Sequence, residues 1–231
     1  MTNSGPMDHA SYFQDVADYY NNTRVDCEKI TGVAKARAEF NQRGSWIREC
    51  AESLQITLAK RRVLEIACGA GVWTQFAADV AERVVATDPS PRLLDYGRGL
   101  NFPNTDWIEC DAFSLHKIEG RFNAAFHINF MNHVPRELLP AFIDGLHQRL
   151  EPGAVVFCAT QRWQGSAEEP WYEKPQTGDM VSLRHHNDGR PIEVVDTYFT
   201  EDLIKELLSG KTRELQITLK SWWWWASYQV A

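Results

Sequence analysis

Residues 63–71 read Val-Leu-Glu-Ile-Ala-Cys-Gly-Ala-Gly. An apolar strand at Arg62–Ala67 runs directly into Gly69-Ala70-Gly71, and a helix is expected over Trp73–Ala81. Glycines let a backbone turn sharply and approach a ligand without a Cβ in the way. A strand, glycine loop and helix in this order would hold a nucleotide-like ligand at the carboxyl end of the strand, close to the helix start. A tight strand-to-helix turn with no ligand would need the same residues, so the neighbours have to decide.

Outward from the loop, strands alternate with helices. Arg83–Asp88 reads as a second strand, and Pro89-Ser90-Pro91 opens a helix with proline at its start. Asp106–Cys110 and Phe122–Ile128 read as third and fourth strands, Pro135–Leu150 as a helix closed by Glu-Pro-Gly, and Ala154–Thr160 as a fifth strand. This alternation predicts right-handed βαβ crossovers and a parallel sheet. Upstream, residues 10–52 read as helical, with Tyr12, Val16 and Tyr19 or Tyr20 at helical spacing. Downstream, residues 161–179 read as a loop. Asn187-Asp188-Gly189 between Val181–Arg184 and Ile192–Tyr198 reads as a hairpin turn. A helix follows at Thr200–Leu208 with Thr200 as its cap. Glu214–Lys220 and Trp223–Val230 are expected as antiparallel edge strands.

Three acids give the loop its neighbours. Glu65 lies inside the first strand, where a carboxylate can hold the loop by accepting backbone N–H bonds and can face a cationic amino group. Asp88 ends the second strand, placed to grip two ribose hydroxyls. Asp111 follows the third strand in Cys110-Asp111-Ala112-Phe113, placed to bond an adenine amino group while Phe113 covers the base. Any one of them alone would read as a cap or surface residue. Their recurrence at successive strand ends is the stronger signal.

Composition bounds the class. Acidic residues number 31 against 24 basic, for a net charge of −7, which disfavours a phosphate backbone as partner. The five cysteines are scattered without a Cys-x-x-Cys pair, so free buried thiols in a reducing cytoplasm are expected. No apolar run approaches the length of a membrane span. No metal site is expected. His185 and His186, the one tempting pair, would point to opposite faces of a strand.

These residues together resemble class I S-adenosylmethionine-dependent methyltransferases, small-molecule type. Glu65 to Gly71 matches their first motif, Ala-Thr-Asp88-Pro89-Ser the ribose motif, and Cys110-Asp111-Ala-Phe the adenine motif. Ala125 to Pro135 matches the fourth-strand region and Leu150-Glu-Pro-Gly153 the turn before strand five. The resemblance covers residues of about 60–160. It implies an α/β, Rossmann-like, doubly wound seven-stranded sheet with an antiparallel C-terminal hairpin. It also implies one domain over 1–231, with an N-terminal helical lid at 10–55 and a small β-hairpin cap at 161–198. The implied methyl donor is S-adenosylmethionine, leaving as S-adenosylhomocysteine. Its implied contacts are Tyr20, Glu65, Ala67, Cys68, Gly69, Gly71, Asp88, Pro89, Asp111, Ala112, Phe113 and His127.

The implied acceptor is a small molecule, methylated on oxygen or nitrogen, with a place in secondary-metabolite biosynthesis. Its pocket would draw on Tyr12, Tyr20, Arg184 and Asp196. The cap resembles that of bacterial natural-product methyltransferases, including a phosphonate O-methyltransferase, where a lysine is common at the position of Asp196. Aspartate there favours a neutral or cationic acceptor. His133 is the leading candidate for a general base, with Asn129 orienting the acceptor; helix capping or packing is the plainer role for that histidine. Arg184 suits an acidic group or the plain surface equally, and Tyr20 suits either closure over the donor or core packing. Trp222–Trp225 is expected to pack at a sheet edge and turn, with a dimer contact or a pocket wall as alternatives. The chain is expected as a monomer or homodimer.

Two other readings compete. A nicotinamide-dependent oxidoreductase would carry a third glycine where this chain has Thr74. A non-catalytic protein would bind the donor and yield no product. A nucleic-acid or protein methyltransferase ranks lower, because no Asn-Pro-Pro-Tyr-like signature follows strand four.

Overall fold

The computed structural model describes residues 9–23, 45–161, 171–173, 179–221 and 223–231. Among the described residues, helices α1 (His9–Thr23) and α2 (Ser45–Leu58) precede β1 (Arg62–Ile66). The alternating part then runs α3 (Thr74–Ala78), β2 (Arg83–Asp88), α4 (Pro91–Gly99), β3 (Thr105–Glu109), β4 (Phe122–Ile128), α5 (Leu139–His147) and β5 (Leu150–Gln161). A small antiparallel sheet of β6 (Trp171–Glu173), β7 (Met180–His185) and β8 (Pro191–Val195) follows. The chain closes with α6 (Glu201–Leu208), β9 (Thr212–Leu219) and β10 (Trp223–Val230).

Among the described residues the large sheet has seven strands in the order β3-β2-β1-β4-β5-β10-β9. Strands β1 to β5 pair in parallel, and β10 is antiparallel to both β5 and β9. Val63 to Ile66 are all buried, as a parallel strand covered on both faces requires. Chain order reverses between β1 and β4, and ligands of open α/β sheets bind outside the carboxyl ends of strands at such a reversal. The glycine loop leaves β1 at that point.

Local chemistry explains several boundaries. Ser90 caps α4, its hydroxyl accepting from Leu93 N at 3.1 Å, with Pro91 in the first turn. Thr200 caps α6 through Leu203 N at 3.2 Å. The expected helix over Pro135–Leu150 is shorter: a 3₁₀ turn at Arg136–Leu138 leads into α5, which ends at His147. Leu150 already belongs to β5, which runs past Pro152 and Gly153 with a register shift opposite Phe122.

Two other expectations are corrected. The cap is a three-stranded sheet instead of a lone hairpin, because Trp171–Glu173 adds a strand that its Trp- and Pro-rich surroundings disguise. The strand carrying Trp223, Trp224 and Trp225 is internal, and β9 forms the edge. The alternation of its faces explains the burial. Trp224 packs 5.3 Å from the Phe199 ring, while Trp223 and Trp225 join the cluster on the other face, where Trp223 stacks 6.2 Å from Trp73. Trp222 lies outside the described residues.

Helix α1 lies on the cap: Tyr12 and Val16 form one buried cluster with Val181, Ile192, Val194 and Val195, while Phe13 also packs against the core of the large sheet. Among the described residues Cys50, Cys68, Cys110 and Cys158 are free and buried. Burial pushes the Cys50 and Cys158 thiols up to about 12, which keeps them protonated and inert. No helix of the described residues is long and apolar enough to cross a membrane.

Candidate active site

The glycine loop is built from unusual backbone. Ala67, Gly69 and Gly71 have φ of 56°, 55° and 85°. At Gly71 a Cβ would also meet Trp107 Cη2 at 2.6 Å and Leu100 Cδ1 at 3.0 Å. Gly71 is therefore demanded by both conformation and packing. Gly69 differs: a Cβ there would have no heavy atom within 4 Å, so this turn of the loop faces open space. Ala67 holds a left-handed conformation at a non-glycine residue, a local strain of the kind found at functional turns.

Asp88 holds this loop. Its Oδ2 accepts from Gly69 N at 2.8 Å and its Oδ1 from Ser90 N at 3.0 Å. The loop-holding role expected of Glu65 thus belongs to the next strand. Burial raises the Asp88 carboxyl to about 6 against the pull of those two N–H bonds. Glu65 is also buried, and its Oε2 has no hydrogen-bond partner. Burial lifts Glu65 to about 8, moderated by the nearby Thr74 hydroxyl and reinforced by the charge of Asp88. A buried carboxyl with one oxygen left without a partner, on the strand that leads into an open glycine turn, suits a ligand that brings a cation or donor to it.

The third acid turns inward. Asp111 Oδ1 accepts from Phe113 N at 2.8 Å, which closes the turn after β3. Ala112 is buried there, and the Phe113 ring lies 4.9 Å from Phe13 of α1 and 6.1 Å from Phe142 of α5. His127, at the end of β4, is buried against Phe130 and Phe142, with ring centroids 6.3 and 5.4 Å away. Burial drives it down to about 3, so it is neutral and cannot serve as a cation at ordinary pH. Pro89 sits between Asp88 and the capping Ser90. Tyr20 lies in α1, but its side chain is outside the described residues.

The residues expected to meet the acceptor form one network across three parts of the chain. The Tyr12 hydroxyl of α1 donates to the His133 carbonyl at 2.9 Å and accepts from Val195 N at 3.1 Å. His133 Nδ1 lies 2.9 Å from the Val195 carbonyl and 3.3 Å from Asp196 Oδ1. Asp196 Oδ2 accepts from Arg184 Nη2 at 2.7 Å and from Ser182 Oγ at 2.9 Å. Asn129 (φ 56°) and Asn132 both accept from the Thr160 hydroxyl of β5, at 3.3 and 2.8 Å.

This geometry revises the expectation for two residues. Arg184 and Asp196 were expected to address the acceptor; instead each takes up the other's charge inside the cap, and Arg184 Cζ also lies 5.8 Å from the centre of the Tyr19 ring. Asn132, Thr160 and Ser182 were not singled out from sequence. Asn132 precedes His133 directly, and Thr160 ends β5 beside the reversal point, so position offered a signal that residue type did not. His185 is exposed while His186 is buried, as opposite faces require.

With this geometry in place, comparison with known proteins gives a consistent class. Residues 63–153 match the family model described as a methyltransferase domain. An uncharacterised methyltransferase of Synechocystis sp. is 28% identical over 95 residues, 41% of this chain and 44% of that protein. A ubiquinone biosynthesis O-methyltransferase of Xanthomonas campestris pv. campestris is 26% identical over 110 residues, 46% of this chain and 45% of that protein. The chain thus spans less than half the length of these curated relatives. The solved structure of the DhpI–SAH complex is similar over nearly the whole fold, with a TM-score of 0.74 at 20% identity, covering 96% of this chain and 98% of that one. The match over residues 63–153 and the likeness to that solved structure give the chain a Rossmann-like methyltransferase fold.

Proposed function

We propose that this chain transfers a methyl group from S-adenosylmethionine to an oxygen or nitrogen of a small-molecule acceptor, with a hydroxyl oxygen as the favoured target. The observation that carries this reading is the buried Glu65 carboxyl, whose Oε2 has no hydrogen-bond partner, on the strand that leads into the open turn at Gly69, at the reversal of strand order. A donor that bears an ammonium group, a ribose and an adenine suits Glu65, Asp88 and the Asp111–Phe113 turn in that order along the strand ends. When bound, the donor supplies an activated methyl group on sulfur.

The protein's part is position and protons. Gly69, Gly71, Ala67 and Cys68 shape the loop. Asp88 and Pro89 line the ribose side, and Asp111, Ala112 and Phe113 the base side. His127 and Tyr20 cover the methyl end. Effective transfer needs the acceptor atom held in line at about 3–3.5 Å from the methyl carbon, in a site kept dry. Helix α1 and the cap, joined through Tyr12, would close that site as lid (10–55) and cap (161–198) of a single domain. His133 serves as general base for a hydroxyl, and Asn129 orients the acceptor. Support for oxygen comes from the ubiquinone biosynthesis O-methyltransferase among the relatives, and support for the donor from SAH in the DhpI complex. A role in secondary metabolism and a cytoplasmic location fit an acidic chain with protonated thiols.

The test is turnover of S-[methyl-³H]adenosylmethionine with panels of phenols, alcohols, amines and carboxylates. Labelled product from the hydroxyl panel is expected. Binding of S-adenosylhomocysteine with no product from any panel would favour the non-catalytic reading.

A further inference from the structure

We infer that Asp196 is a positioning residue for His133: it orients the imidazole so that Nδ1 carries the proton and Nε2 carries the lone pair that takes a proton from the acceptor. This rests on the reading of His133 as general base.

The tautomer follows from the partners. A carbonyl oxygen only accepts, so the contact of 2.9 Å between Nδ1 and the Val195 carbonyl makes Nδ1 the donor. Asp196 Oδ1, at 3.3 Å from the same nitrogen, shares that proton. The lone pair is then on Nε2. Asn132 does not alter this. Its Oδ1 accepts from the Thr160 hydroxyl at 2.8 Å, which turns its Nδ2 toward Asp196 Oδ1 at 3.4 Å. That Nδ2 is 3.1 Å from Nε2 and 3.5 Å from Nδ1. A donor in the ring plane at Nε2 would lie far from Nδ1, so near-equal distances put the amide over the ring face, out of line with the in-plane lone pair.

Asp196 is itself fixed. Its other oxygen is held by Arg184 and Ser182, and its backbone N donates to the Met180 carbonyl at 2.9 Å. The backbone on both sides of the contact is tied as well, because the Tyr12 hydroxyl donates to the His133 carbonyl and accepts from the N–H of Val195. Three segments far apart in sequence thus set one imidazole.

The chemical consequence is a base with a built-in counter-charge. The acceptor O–H bond breaks, its proton passes to Nε2, and its electron pair stays on the oxygen that forms the new bond to the methyl carbon, as the methyl–sulfur bond breaks and its electron pair leaves with sulfur in S-adenosylhomocysteine. The imidazolium that results lies against the Asp196 carboxylate, which stabilises it without taking the proton. Among the described residues, Asp196 and Arg184 from the cap and Tyr12 from α1 are charged or titratable groups joined to His133 in this network. Arg136, three positions along the chain, donates its backbone N–H to Asp179 Oδ1 at 2.9 Å.

The experiment is ¹⁵N NMR of the full chain labelled at histidine, with His133→Gln used to assign the signal. Wild type is expected to show a protonated Nδ1 and a pyridine-type Nε2, and Asp196→Asn to lower the pH midpoint of His133 by one unit or more. An Nε2–H tautomer in wild type, or an unmoved midpoint in a folded Asp196→Asn protein, would overturn the inference. If the single variant unfolds because Arg184 loses its counter-charge, the pair Arg184→Met with Asp196→Asn carries the same expectation. Calorimetry with S-adenosylhomocysteine on the same samples separates the two readings. Retained affinity with an unmoved midpoint removes the positioning role alone, whereas wild type with no affinity removes the methyl-transfer reading itself.

Discussion

The donor side and the acceptor side of this molecule are built by opposite means. On the donor side, each residue sits at the end of a successive strand, and Glu65, Gly69, Asp88 and Asp111 lie within one stretch of the parallel sheet. On the acceptor side, Tyr12, His133, Thr160, Arg184 and Asp196 come from α1, the turn after β4, the end of β5 and the cap. The first arrangement is local and repeats with the strand–helix period. The second exists only once α1 has packed on the cap and the cap has packed on the β4 turn. The donor side therefore leaves a pattern in sequence, and the acceptor side leaves isolated residues whose partners are more than a hundred positions away in the case of Tyr12 and His133.

The sharpest break between the two sides is expected at His133. His133→Ala should lower turnover by about 10²- to 10⁴-fold, the usual worth of a general base, while S-adenosylhomocysteine affinity stays within about twofold. Steady-state kinetics and calorimetry on one preparation check this, and equal losses in both would merge the two sides into one.

Asp88→Ala gives the converse break. It removes the carboxylate proposed to face the ribose and leaves the Gly69 and Ser90 N–H groups without their acceptor. Donor affinity is expected to fall about 100-fold, and stability by about 1–3 kcal/mol for the orphaned donors. Titration calorimetry and chemical denaturation measure the two. Unchanged affinity would remove Asp88 from the donor site.

A third prediction concerns pH. Glu65 and Asp88 are raised in the folded protein to about 8 and about 6. Their burial is tolerated best when they are protonated, so their contribution to stability is complete below about pH 4 and is lost as pH rises through those folded values. Glu65→Gln removes the larger part. Between pH 5 and 8 the wild type should lose on the order of a few kcal/mol more than the variant, read by thermal unfolding without ligand. Parallel curves for the two proteins would show that Glu65 is not desolvated as described.

The smallest effect tests the lid–cap joint. Tyr12→Phe leaves Val195 N without its acceptor and frees the His133 carbonyl, at a cost of about 1–3 kcal/mol. It should lower the melting temperature and reduce turnover modestly, leaving donor affinity near wild type. A loss of donor affinity instead would show that Tyr12 serves the donor side.

Particular residues show what could be read from sequence. The apolar run before Gly69 and the acids at strand ends were legible because strand and glycine patterns are short-range. Gly71 was legible as a glycine, but the reason for it, the Trp107 ring from β3, was not. The Trp223–Trp225 strand was legible as a strand, yet its internal place was hidden, because neighbour order in a sheet depends on pairing far along the chain. Arg184 and Asp196 were picked out separately, and their mutual neutralisation needed the β7–β8 register to bring them to one face. Glu65 and Asp88 were both picked out as acids near the loop, with the loop-holding role given to Glu65, and the hydrogen bonds show that Asp88 is the one that holds Gly69.

The central claim is that the Gly69–Gly71 turn, with Glu65 and Asp88 behind it, binds the S-adenosylmethionine class of ligand. The most direct measurement is isothermal titration of the full chain with S-adenosylhomocysteine and, separately, with NADH, each repeated on Asp88→Ala. Saturable binding of S-adenosylhomocysteine that weakens about 100-fold in the variant, with no heat from NADH, is the expected result. Binding of NADH without S-adenosylhomocysteine would contradict it.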